Sequence, residues 1–467
     1  MNQQPVVQST ILRTRRNVRL FMAFRILFNV RFYYPVFMIL FLDFGITLEQ
    51  FGILNAAWAA AIVLLEVPSG ALADLVGRKR LLVAAACLMV VEMLLLCLVP
   101  VPSVWVFPAL LLNRIVSGAA EAFASGADEA LAYDAMQEAQ IAEEWPKVLE
   151  RLMQIGACVA MAAMVTGSLL YDPRPLNAVF SSLGLSWQVT KAETFRLPVW
   201  LTLGSAIGAV IVTLSMRESS RFHTSTSREL ISPFHQTIST GAWILGHPLV
   251  LVVITAGVLC DLPIRQLLVV SSEIYRQIQI PEPAFGLVGA GSAALSLIAA
   301  GPIRRLAMKT SAFRNIFILF FVTLIGLIGT SLFLPWWGVV FAMLLSLTMR
   351  MVIFLQSHYL NQLVDSKHRA TVLSFRGLAV NVSYGVMSLV FAAAIAGFEA
   401  TSPLGSSEKL TEAAHQIAAF RSVVTLLPYF FIVTCALFCL WTRRRVDDSR
   451  PFFRHGGFVG ETDLHLH

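Results

Sequence analysis

The chain has 467 residues, of which 57% are hydrophobic and only 13% charged, with a formal net charge of +7. A soluble globular domain carries about 25% charged residues, so this composition excludes a water-solvated surface of the usual kind. The basic excess does not read as a nucleic-acid footprint, because the basic residues stand in short clusters between apolar runs, where they orient a chain in a membrane.

The first residues, MNQQPVVQSTILRTRRNVRL, lack a short apolar core followed by a small-residue cleavage site. The first apolar run is therefore read as a retained span and not as a signal peptide. A hydrocarbon core of about 30 Å needs roughly 20 apolar residues in a helix. Segments of that kind are predicted at 20–42, 49–70, 81–100, 104–128, 148–171 and 197–216, and again at 247–271, 284–300, 313–333, 337–360, 370–397 and 417–441. Helices are the expected conformation, since unpaired backbone is too costly in lipid and the segments are too long and too uniformly apolar for barrel strands. Between the two sets of six lies RESSRFHTSTSRELISPFHQTISTG, residues 217–241, rich in Ser, Thr and charge as a linker should be. The predicted class is all-α integral membrane. Its predicted parts are a tail at 1–19, a six-helix bundle at 20–216, a linker at 217–246, a second bundle at 247–441 and a tail at 442–467.

Basic residues crowd the first tail (Arg13, Arg15, Arg16, Arg19), the loop after span two (Arg78, Lys79, Arg80), the linker (Arg217, Arg221, Arg228) and the loop after span eight (Arg304, Arg305, Lys309, Arg314). Lys367, Arg369 and the tail arginines Arg443, Arg444, Arg445, Arg450 and Arg454 complete the set. With an even number of spans all of these fall on one side, so both termini are expected to be cytoplasmic. The opposite loops are poorer in basic residues, with Arg174, Lys191, Arg276 and Lys409 as the main exceptions. The six cysteines, Cys87, Cys97, Cys158, Cys260, Cys435 and Cys439, lie inside apolar segments without zinc-type spacing to histidines. They read as small buried hydrophobes, and no metal site is expected.

Residues 66–80 read EVPSGALADLVGRKR. Gly70, Asp74, Gly77, Arg78 and Lys79 match the G-x-x-x-D-x-x-G-R-K loop between spans two and three of the major facilitator superfamily, which the chain resembles from about residue 17 to 441. In physical terms, Gly70 would allow close helix contact and Gly77 a tight turn, while Asp74 would sit at the positive end of a neighbouring helix. Span four, NRIVSGAAEAFASGADEALAYD, resembles the family's fourth span through Arg114 and Gly118. DSKHRATVLSF, residues 365–375, resembles the start of span eleven, and GPIRRLAMK, residues 301–309, resembles a decayed second copy of the first motif in which Arg305 replaces the Asp. The proline-containing span-five motif common in the family's proton antiporters is missing around Ala163, Met164, Gly167 and Ser168.

Charges inside spans are costly and usually have a task. Span one carries Arg25 and Arg31, span four Arg114, Glu121 and Asp128, span seven Asp261 and Arg265, and span ten Arg350 and His358. In the resembled fold these four spans line the central cavity. Arg114, Glu121 and Asp128 are seven apart and are expected on one helix face; Asp261 and Arg265, four apart, are expected to touch. Ser346, Arg350, Ser357 and Asn361 make a similar stripe, and Pro35 is expected to loosen the helix near Arg31, beside Tyr33 and Tyr34. The expected substrate surface is Arg31, Tyr34, Arg114, Glu121, Asp261, Arg265 and Arg350, with a lean toward anionic or zwitterionic substrates. Glu121 and Asp261 are the expected proton carriers, with Asp128 a third candidate. Glu66, Gly70, Asp74, Gly77, Arg78, Asp134 and Arg376 are expected to form a cytoplasmic gate, as the resemblance implies.

GLVGAGSAAL, residues 286–295, lies within an apolar span and reads as helix packing, not as a nucleotide-binding turn. No G-x-x-x-x-G-K-[ST] loop is present, so ATP is not expected to drive the chain, and no cofactor is expected. The resemblance implies a monomeric, proton-coupled exporter of small molecules in a bacterial inner membrane. The alternatives are an importer or lipid-moving relative and, in other classes, a membrane enzyme or a non-transporting receptor. An enzyme would want paired acids or histidine clusters at a surface loop, and a receptor a signalling tail; the sequence offers neither.

Overall fold

The computed structural model describes residues 4–218, 241, 243–364, 366–401 and 408–445. Twelve helices among them are long and apolar enough to cross a membrane, and the chain is an integral membrane protein. Spans one to six are Ile11–Asp43, Leu48–Glu66, Arg78–Leu98, Val106–Glu138, Ala142–Tyr171 and Lys191–Ser215. Spans seven to twelve are Pro248–Val269, Glu282–Lys309, Ala312–Ser331, Gly338–Leu363, Val372–Ala400 and Ala414–Arg443. No strand occurs among the described residues. Most of the predicted linker, along with the tail beyond Arg445, falls outside them.

Two compact units are distinguishable: Met1–His235 with Pro281–Ala290, and Gln236–Ile280 with Gly291–His467. The first turns of span eight thus belong to the first unit. In that unit span four packs on spans two and three, and span three packs on span six. In the second unit spans seven, nine and ten pack together.

The first helix starts at Gln4, well before the predicted residue 20. Val18, Phe21, Phe24 and Phe28 recur at helical spacing and are all buried, so the basic segment is the polar side of an amphipathic helix and not a separate tail. Span two begins on a reciprocal cap: Thr47 Oγ1 accepts from Gln50 N at 3.2 Å and Gln50 Oε1 accepts from Thr47 N at 3.0 Å.

Small residues decide where spans touch. A Cβ on Gly118 would meet Ala61 Cβ and Trp58 O at 2.7 Å, so span four lies directly on span two. A Cβ on Gly167 would stand 1.7 Å from Phe32 O. A Cβ on Gly70 would meet nothing within 4 Å among the described residues. The Gly167→Ala variant is therefore expected to lose most folded protein, because its methyl group meets rigid backbone, whereas Gly70→Ala should stay within about 0.5 kcal/mol of wild type or gain slightly. Monodispersity and thermal melting of the two purified variants in detergent check this.

Candidate functional site

Pro35 has no N–H and cannot continue a helix without strain, and span one breaks ahead of it. The α-helix stops at Asn29, a 3-10 turn forms at Tyr34–Val36, and helix resumes at Phe37. Exposed backbone at this depth needs partners. Phe32 N donates to Thr202 Oγ1 of span six at 3.1 Å, and Phe32 O lies against Gly167 of span five. The break turns Arg31 and Tyr33 inward, while Tyr34 stays 52% exposed.

Arg31 Nη1 donates to Glu92 Oε2 at 2.9 Å, and both side chains are at most 3% exposed. Tyr33 Oη donates to the other Glu92 oxygen at 3.4 Å, and Asn113 Nδ2 donates to Glu92 O at 2.7 Å. Spans one and three are thereby tied at the Glu92 carboxylate, and span four is tied to the backbone carbonyl of the same residue. Sequence reasoning missed Glu92. Its signal was present: one acid in the middle of the apolar run 81–100.

Span four is not the straight stripe its spacing suggests. Gly126, at φ 75°, interrupts the helix between Ala124 and Ala127, and the three charged residues part company. Asp128 is buried at the start of the following helix, ion-paired to Arg25 and accepting from Glu129 N at 2.7 Å; Arg25 also reaches Glu129 at 3.3 Å. A carboxylate so enclosed suits an anchor better than a carrier. Glu121 is exposed, with Arg31, Glu92, Arg25 and Asp128 as its electrostatic neighbours.

Arg114 differs from all of these. It is 7% exposed, yet no carboxylate among the described residues lies within ion-pair distance of it. Its guanidinium rests over the rings of Phe37 at 5.2 Å and Trp58 at 5.4 Å, and Nη2 makes one long contact to Asn55 Oδ1 at 3.4 Å. Nε has no hydrogen-bond partner. Burying such an ion costs several kcal/mol, and a desolvated cation–π contact returns about 2 kcal/mol. The two rings offset part of the cost and leave one charged donor unmet.

In the second unit Arg265 Nε and Nη2 grip Asp261 in a bidentate pair at 2.8 Å each, as the spacing predicts. Arg265 also lies 5.7 Å from the Tyr384 ring of span eleven. Arg350 is exposed in the middle of span ten, with no ion pair among the described residues. The rest of the expected stripe on that span turns back on its own helix: Ser346 Oγ donates to Ala342 O and Asn361 Nδ2 to Ser357 O. The side chain that joins spans seven and ten is Gln356, another residue missed from sequence. Its amide donates to Val253 O and Ile254 O at 3.4 and 3.2 Å, in space left open by Gly257.

No protein-family model matches this chain, and no curated protein matches it in sequence. Solved structures do match. The nucleoside transporter NupG superposes with a TM-score of 0.69 at 11% identity, over 93% of this chain and 99% of that one. A bacterial homologue of the human lysosomal transporter Spinster, inward-facing and unoccupied, superposes at 0.64 with 15% identity, over 95% and 98%. The chain has the major facilitator fold. A D-xylose-proton symporter also superposes, at 0.55 with 13% identity, over 91% and 97%.

The motif that first suggested the major facilitator fold is in part as expected. Gly77 takes φ 100°, the left-handed turn that glycine allows, and Arg78 is ion-paired to Asp134 at the end of span four. Lys79 N donates to Glu218 Oε2 at 2.9 Å. The Asp74 side chain lies outside the described residues. Glu66 Oε2 is buried without a hydrogen-bond partner. Arg376 of span eleven has Asp261 of span seven as an electrostatic neighbour within the second unit. At the opposite ends of the spans lies a cluster the sequence reading met only as an exception to the charge bias. Lys191 Nζ bonds Glu282 at 2.6 Å, stands 3.9 Å from Asp43 and lies 3.2 Å from the Tyr171 ring centroid, and Tyr171 Oη donates to Asp43.

Because Arg31 and Glu92 are buried together, removing one leaves the other stranded. Glu92→Gln is expected to cost about 3–5 kcal/mol, and the double variant Arg31→Met with Glu92→Met less than that single change. A double-mutant cycle on thermal melting of detergent-purified protein checks this; equal losses in the single and double variants would contradict it.

Proposed function

We propose that the chain is a secondary active transporter that moves a small molecule across a bilayer by alternating access. The observation that carries the reading is a set of charged side chains held at mid-span (Arg31, Glu92, Arg114 and Glu121) in a fold whose solved neighbours are transporters. Membrane helices do not keep such groups for packing alone at several kcal/mol each.

Within this reading the driving ion is the proton and the direction is export. Glu121, open and within electrostatic reach of Arg31 and Arg25, is the first carrier, and Asp261, ion-paired to Arg265 and within electrostatic reach of Arg376, is the second. The protein works as a monomer in a bacterial inner membrane with both termini cytoplasmic, the orientation that the clusters after spans two and eight support. Arg78 with Asp134, together with Glu66, belongs to the machinery that closes the cytoplasmic end. Proton-coupled uptake is the second reading. It is favoured by the likeness to a D-xylose-proton symporter and by a span five without the antiporter proline.

The test is proton flux in proteoliposomes carrying a pH-sensitive dye, across cationic, neutral and anionic compounds and under both gradient directions. Wild type is expected to move protons with at least one compound. Glu121→Gln should lower coupled flux by about 100-fold, the scale of a lost proton-transfer group, while labelled substrate still exchanges. Unchanged coupling in both Glu121→Gln and Asp261→Asn would remove these two residues as carriers. Exchange without any proton movement in wild type would replace coupled transport by facilitated transport.

A further inference from the structure

We infer that Arg114 is the anchor of an anion subsite in the first unit, and that the transported molecule carries a carboxylate or phosphate group that binds there. The inference rests on the transporter reading and narrows it to a class of substrate.

The argument is one of unmet valence. The other arginines held within the first unit have their Nη donors met: Arg31 by Glu92, half-buried Arg25 by Asp128 and Glu129, and Arg196, which shares a buried unbonded Nε, by the carbonyls of Cys97 and Val99 at 2.9 and 2.5 Å. Arg114 has an amide oxygen at 3.4 Å, two aromatic faces and a bare Nε. Aromatic faces cover the plane of a guanidinium and leave its edge of N–H donors free. That edge matches two oxygens of one carboxylate or phosphate.

Access and neighbours agree with this. Phe37 stacks edge-on to Tyr34 at 6.2 Å while its face meets Arg114, so the half-open Tyr34 is one ring away from the guanidinium. Tyr34 lies within electrostatic reach of Arg31, Glu121, Glu92 and Arg114. Glu121 stands two helical turns further along and makes no ion pair with Arg114 among the described residues. An incoming anion therefore finds a buried cation whose partners in the protein are all neutral.

The test uses purified full-length protein in phosphatidylcholine nanodiscs, which present no anionic headgroup, and follows thermal stabilisation and calorimetric binding. The probes are benzoate, its neutral analogue benzamide, and inorganic phosphate. Wild type is expected to bind benzoate or phosphate but not benzamide. Arg114→Gln should abolish the binding. Arg114→Lys, which keeps the charge but loses the fork, should weaken it by about tenfold or more. If Arg114→Gln fails to fold, Arg114→Lys and the wild-type comparison of benzoate with benzamide decide the matter. Equal binding of benzoate and benzamide, or anion affinity unchanged in Arg114→Lys, overturns the inference. Wild type that transports neutral or cationic compounds in proteoliposomes while binding no anion overturns it and leaves the transporter reading standing. Wild type that binds anions at Arg114 but moves nothing keeps the subsite and removes the transporter reading.

Discussion

Inside a bilayer every backbone N–H and C=O must find a partner within the protein, and the break in span one is where this constraint acts hardest. Pro35 ends the helix in the middle of the hydrocarbon, and residues 30–33 leave it. Much of the first unit can be read as the answer to that break. Thr202 of span six meets the amide of Phe32, and Gly167 of span five makes room for its carbonyl. Glu92 of span three meets the guanidinium that the break turns inward. Three spans are thus bound to one local irregularity, and the irregularity places Arg31 and Tyr34 where no regular helix would have put them.

The same logic sorts the charges. Where neutralisation is possible at contact, it occurs: Arg31 with Glu92, Arg25 with Asp128, Arg265 with Asp261. Such pairs add little net stability over well-packed apolar residues, although breaking one is expensive. Their presence therefore points to a requirement other than stability, and a path for polar cargo is the simplest. Groups left outside the pairing are the informative ones. Glu121 is open and shared among several charges, Arg350 is exposed at mid-span, and Arg114 is buried with an empty edge. The pairs Arg31–Glu92 and Arg25–Asp128 also hold separate spans together.

Packing by small residues works alongside this. Gly118 lets span four lie almost on the backbone of span two, and Gly257 leaves the space that admits the Gln356 amide to two carbonyls. Gly70, in the most recognisable motif in the chain, has no such neighbour among the described residues. Within that motif Gly77 has a plain local reason, its left-handed turn, and Arg78 a tertiary one, the ion pair with Asp134.

The sequence by itself determined the number and approximate limits of the twelve spans, because the cost of lipid exposure is paid residue by residue along each segment and needs no partner to be known. It also determined the turn at Gly77, the weakening at Pro35 and the Asp261–Arg265 pair, all of which are local in the chain. Tertiary structure alone decided which charges meet. Glu92 lies 61 residues from Arg31 and Asp128 lies 103 from Arg25, distances over which no helical periodicity speaks. It also decided that Arg114, Glu121 and Asp128 part at Gly126. A seven-residue spacing aligns side chains only while the helix stays unbroken, and ion-pair partners are chosen by which spans lie side by side.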